Sequence, residues 1–287
     1  MIQQELTPAQ SLIGILLLCI IIAGIVLNII LYRKYRSKPL RWRFLIRRIQ
    51  SRPWSLYDGA KLFVVFSSLA AIFYITAMFI PREVLHSPVF LLSEIIIMPA
   101  TALLATWSLI NSKQISLREA FGIKWKNCIR NALQGVMCYL AVMPYLLISS
   151  IISLSVLTYL GYEIEHQPII QVLTDPQSPR WLYVTLVISA IVSAPVVEET
   201  LFRGIILPLC FKRMSAVSAI LFVSLFFAVV HVHIPVIAPI FVLATGLSLG
   251  YIATGSLLVP IFAHATFNAV SIIAFMIEAQ SLGVLAP

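Results

Sequence analysis

The chain has 287 residues, 60% hydrophobic and only 11% charged, with a mean hydropathy of +0.99 and a formal net charge of +9. Soluble domains carry about a quarter charged residues, so there are too few here to cover a water-facing surface. A soluble enzyme is excluded, and apolar stretches of ~20 residues or more, enough to cross a bilayer, imply a polytopic membrane protein.

The spans are predicted in chain order at 11–32, 62–80, 88–110, 132–160, 181–197 and onward, 216–233, 236–254 and 257–277. The fold class is therefore all-α, with about eight transmembrane helices. The first span has no basic residue before it and a dense basic block after it, the reverse of a cleavable signal peptide. Nine of the 20 Lys and Arg lie at 33–52 with no acid among them, and five lie at 113–130. On a soluble protein such runs would mark a nucleic-acid patch; between apolar spans they are the positive-inside signal, and no nucleic-acid partner is expected. With the N-terminus outside, 17 of the 20 basic residues fall in cytoplasmic loops, as expected of a plasma or inner membrane protein. Residues 161–180 form the longest external loop, carrying Glu163, Glu165 and Asp175. Cys19, Cys128, Cys138 and Cys210 form no CxxC pair and suggest neither a disulfide framework nor a zinc site. Gly246-x-x-x-Gly250 has the spacing that lets two helices approach closely.

Ionisable side chains are costly in lipid, so their positions mark function. Glu198, Glu199, Arg203, His231, His233 and His264 stand in or at the edge of the last four spans, whereas earlier spans contribute only Glu94. The first four spans read as scaffold and the last four as the catalytic core. Glu199 and Arg203 are i, i+4 on one helix face and can pair. Glu198 points about 100° away, without such a partner, and suits a general base. A structural ion pair bracing two helices is the plain alternative.

The midpoint between Glu198 and His231 falls at the basic turn of Lys212 and Arg213, so a hairpin folded there brings both to one height. Phe227, one turn before His231, covers the same face. His264 and Asn268 are again i, i+4 and could together stabilise an oxyanion, a role worth about 3 kcal/mol per donor. As interhelical polar contacts they would contribute only about 0.6 kcal/mol each. Two readings stay open beside a water-activating hydrolase: a zinc site built from His231, His233, His264 and Glu198, and a non-catalytic membrane partner or immunity factor. The zinc reading lacks HExxH spacing, so no metal and no cofactor is expected.

Glu198-Glu199-x-x-x-Arg203, Phe227-x-x-x-His231 and His264-x-x-x-Asn268, in this order, resemble the motifs of the CPBP family (CAAX proteases and bacteriocin-processing enzymes, or Abi family). The resemblance covers about residues 180–277, and 1–179 carries no recognisable motif. It implies an intramembrane glutamic protease in which Glu198 and His231 activate the hydrolytic water and His264 and Asn268 form the oxyanion site. Glu199 and Arg203 would support the first carboxylate. It implies membrane lipid and a peptide or protein substrate as partners, membrane-anchored or prenylated in some members, and leaves the oligomeric state open.

Overall fold

The computed structural model describes residues 8–36, 39–81, 84, 87–162 and 178–281. The acids of the predicted external loop, Glu163, Glu165 and Asp175, and the side chain of Glu94 lie outside the described residues. Among the described residues every regular element is helical. In chain order they are α1 (Pro8–Tyr35), α2 (Pro39–Gln50), α3 (Leu56–Phe79), α4 (Pro88–Ser112), α5 (Leu117–Phe121), α6 (Cys128–Tyr159), α7 (Arg180–Phe211), α8 (Ala216–Val229), α9 (Ile234–Thr254) and α10 (Leu258–Ser281).

Seven of them are long and apolar enough to cross a membrane, and α8, with 14 residues, is apolar but shorter. Large hydrophobic side chains such as Phe63, Tyr74, Phe79 and Ile151 stand exposed, as lipid-facing residues do. This is an integral membrane protein.

Sequence signals set the helix ends. Ser55 and Asp58 form a reciprocal capping box at the start of α3, and Ser116 and Glu119 form another at α5. Asp58 also pairs with Lys113 at 2.9 Å, tying the start of α3 to the end of α4. Although Pro208 lies within it, α7 runs unbroken from Arg180 to Phe211. It passes through two π-helical turns, Ser189–Ser193 and Thr200–Ile206, each shortly followed by a proline. A widened turn accommodates the proline ring, which would otherwise clash with the carbonyl four residues back.

Packing is divided between two cores. One gathers Leu45 and Ile49 of α2, Trp54, Phe121 and residues of α7, α8 and the end of α9; the other joins α6, α9 and α10. The close approach of α9 to α6 depends on the small pair picked out in the sequence. A Cβ on Gly246 would collide with Val142, and one on Gly250 would lie 2.8 Å from the Cys138 sulfur.

The basic segment 33–52 does more than carry charge. Within α2, Leu45 and Ile49 are buried while Arg43 and Arg47 are exposed, so the helix lies with one face on the bundle. Arg52 then donates to the carbonyls of Arg118, Glu119 and Gly255 at 3.0, 3.0 and 2.8 Å. These carbonyls belong to the C-terminal ends of α5 and α9, where backbone acceptors lack partners and a cation is favoured. Lys212, at the end of α7, donates to Arg52 and Trp54 carbonyls at 3.0 and 2.6 Å. One basic segment thus fastens α5, α7 and α9 at a single membrane face.

Candidate active site

The two adjacent glutamates sit between the π turns of α7, on the short α-helical stretch Ala194–Glu199. Glu199 and Arg203 are both fully buried and pair at 2.7 Å (Nη1 to Oε1), the i, i+4 contact anticipated from the sequence. Arg203 also donates from Nη2 to the Ala244 carbonyl of α9 at 3.0 Å, and its guanidinium lies 4.4 Å from the centre of the Phe227 ring. Such a buried pair is costly to desolvate, and further hydrogen bonds are what make it tolerable.

Glu199 has a second partner that its helix could not reveal. Nδ1 of His264, on α10, lies 2.9 Å from the same Oε1. A carboxylate paired with arginine accepts hydrogen bonds, so Nδ1 carries the proton and Nε2 is turned to the other side of the ring. There Nε2 faces Oε2 of Glu198 at 3.9 Å. Arg203, Glu199, His264 and Glu198 therefore form one chain of alternating partners across α7 and α10.

Glu198 differs from its neighbour in exposure and in bonding. Its side chain is 31% exposed, yet its Oε2 is buried and meets no hydrogen-bond partner among the described residues. Both His264 and His231 are close enough for their charge to act on it. Glu198 lies about 20 Å along α7 from Phe211, and α8 climbs about 21 Å from the same turn, so the levels of Glu198 and His231 agree.

His231 is exposed just past the end of α8, with Nδ1 2.7 Å from the Phe227 carbonyl. A carbonyl only accepts, so this nitrogen donates, closing the helix end and leaving Nε2 as the free ring nitrogen. Phe227, 1% exposed, is the hub of the aromatic packing: its centroid is 4.9 Å from those of His231 and Phe202 and 5.8 Å from that of His264.

Asn268 is engaged as well. Its Nδ2 donates to the Ala190 carbonyl at 2.6 Å. The Ala194 N–H turns to Ser189, and Pro195, next in reach of that carbonyl, has no N–H. Asn268 supplies the missing donor and still has one amide hydrogen to offer. His264 and Asn268, expected to project as a matched donor pair, are thus each anchored to α7 by one nitrogen. Ala190, Pro195 and the Ala244 carbonyl were not singled out in the sequence, although a proline inside an apolar span was a visible signal. His233 starts α9 and makes no side-chain capping bond there. Among the described residues no group of three or more His, Cys, Asp or Glu side chains is arranged to hold a metal ion.

An ionisable constellation buried among membrane helices, with both Glu198 Oε2 and Glu199 Oε2 buried and unpartnered among the described residues, marks this region as the candidate functional site. Residues 179–270 match the family of Rce1-like type II CAAX prenyl endopeptidases, a segment that holds all seven residues from Glu198 to Asn268 named above as catalytic or supporting. Through this segment the chain is similar to the CAAX protease (CPBP) family. The match supports a membrane protease with a peptide or protein substrate. No curated protein and no solved structure matches the chain.

Proposed function

We propose that the protein is an intramembrane glutamic endopeptidase that hydrolyses a peptide bond with a water molecule activated at Glu198. The observation that carries this reading is the buried, unpartnered Oε2 of Glu198, 3.9 Å from a histidine nitrogen whose partner nitrogen is already committed to Glu199. A carboxylate oxygen and a ring nitrogen at that separation are too far apart to bond directly, and one water spans the gap.

Glu198 takes a proton from the water as its oxygen attacks the scissile carbonyl, with the free Nε2 of His231 orienting the other hydrogen. The resulting oxyanion is held by the remaining Asn268 amide hydrogen and by His264, which donates from Nε2 when that nitrogen is protonated as well as Nδ1. Collapse breaks the C–N bond, and Glu198 returns its proton to the leaving amine. Glu199, Arg203 and Phe227 position His264 and Glu198 rather than touch the substrate. No metal enters these steps, and no serine or cysteine nucleophile is needed.

Residues 180–277 form the protease domain in this reading, and 1–179 supply the flanking helices. The N-terminus faces outward and the basic loops face the cytoplasm of a plasma or inner membrane. The substrate is a membrane-associated polypeptide. The test is comparison of new peptide termini in membranes carrying the wild-type chain or Glu198→Gln. Termini present only with the wild type are expected, and identical profiles would defeat the proposal.

A further inference from the structure

Away from these residues, a cavity of about 1270 Å³ opens between α1, α2, α6 and α9. None of Glu198, Glu199, His231, His264 or Asn268 lines it. Its wall follows one face of α9 from Phe241 to Thr254, 14 residues spanning about 20 Å. Along that length it is largely apolar, and its inner end lies where α1 crosses α6, with Asn28 bonded to the Ala141 carbonyl at 2.7 Å. The other end opens at the basic membrane face.

The charge at that end is one-sided. Among the described residues, seven Lys or Arg line the cavity and no Asp or Glu does. Arg48 and Arg52, which approach each other there, donate to backbone carbonyls, and each keeps a buried Nε–H that no acceptor meets among the described residues. Burial and the neighbouring Arg52 hold the Arg48 guanidinium below its ordinary pKa, a cost that an anion beside it would relieve. Cations above an apolar slot in a membrane protein match an amphiphile with an anionic head.

We propose that this slot binds a membrane phospholipid of net negative charge, with its anionic headgroup at the arginine rim and an acyl chain along α6 and α9. A peptide carboxylate could pair with the rim but would not fill a 20 Å apolar wall, whereas one lipid satisfies both ends.

The experiment is thermal unfolding of the purified full chain in uncharged detergent, titrated with dioleoylphosphatidylglycerol, dioleoylphosphatidylcholine or inorganic phosphate. Phosphatidylglycerol should raise Tm saturably, while phosphatidylcholine, with the same tails, and inorganic phosphate should not. Lys124 and Arg130 line the rim and are exposed, so their replacement spares the fold. Lys124→Gln with Arg130→Gln should need roughly 25 times more lipid, at about a factor of five per cation. Ala253→Phe fills the slot with every charge intact and should abolish the response. Stabilisation by inorganic phosphate alone would overturn the lipid assignment in favour of a free-anion site. An unchanged lipid response in both variants, or an equal loss in Arg43→Gln with Arg47→Gln outside the slot, would overturn the site itself.

Discussion

Asn268 of α10 supplies the hydrogen bond, 2.6 Å long, that the Ala190 carbonyl of α7 cannot obtain from its own helix because Pro195 occupies the place of the donor. The relationship predicts a double-mutant result. Asn268→Ala should lower stability by about 1 kcal/mol, in the range for interhelical bonds in membranes. In a Pro195→Ala background the restored N–H can reach Ala190, so the same change should cost measurably less. Additive losses in thermal unfolding of the four proteins would reject the compensation.

The two adjacent glutamates should separate cleanly. Glu198→Gln keeps shape and orphans no charge, so the protein should fold normally and lose at least ~100-fold in turnover, the low end for a lost general base. Glu199→Gln removes the negative charge that Arg203 and His264 share, and breaking a buried pair costs about 3–5 kcal/mol. That variant should lose folded protein, and adding Arg203→Met should recover part of the yield. Membrane yield, Tm and peptide cleavage measured side by side decide it. A well-folded but inactive Glu199→Gln beside an active Glu198→Gln would reverse the roles.

Removing divalent metal should leave cleavage unchanged, because the proposed chemistry uses a carboxylate, two histidines and water. The check is activity in a membrane-compatible chelator, with zinc added back. Activity lost to the chelator and recovered with zinc would favour a metalloprotease.

Arg52→Lys should destabilise almost as much as Arg52→Ala. A lysine cannot hold the carbonyls of Arg118, Glu119 and Gly255 at once with the geometry of a guanidinium. Both variants should lose Tm while cleavage per folded molecule stays near wild type. A Tm preserved in either would show that the clasp at this face is dispensable.

Orientation can be read with a single cysteine at Arg36, exposed past the end of α1, in a chain lacking its four native cysteines. A membrane-impermeant maleimide should label it in inside-out vesicles and not in intact cells. Labelling of intact cells would place the basic loops outside.

How far the sequence reached depended on the range of each interaction. Glu199 with Arg203 was legible because i, i+4 spacing on one helix needs no tertiary knowledge. The bond from His264 to Glu199 was not, since it depends on how α10 rotates against α7. Segment 33–52 was read as charge alone because its arginines outnumber the four apolar residues, Trp42, Leu45, Ile46 and Ile49, whose helical spacing seats α2 on the bundle. The widened turns of α7, which absorb the rings of Pro195 and Pro208, left no periodic trace. Span positions followed directly from apolar run length; only α8 turned out shorter than its run, because the chain leaves the helix before His231.

That short helix also acts on its surroundings. Leu221, Phe222, Leu225 and Val229 expose an apolar stripe to lipid on an element about 21 Å long, against ~30 Å of hydrocarbon. Lipid beside α8 must compress to meet it, at a cost of fractions of a kcal/mol per Å. A bilayer meeting this stripe is expected to thin at the edge nearest His231. Shorter-chain lipids relieve the strain and gather along this edge, so membrane thickness becomes a variable to which the enzyme is physically coupled.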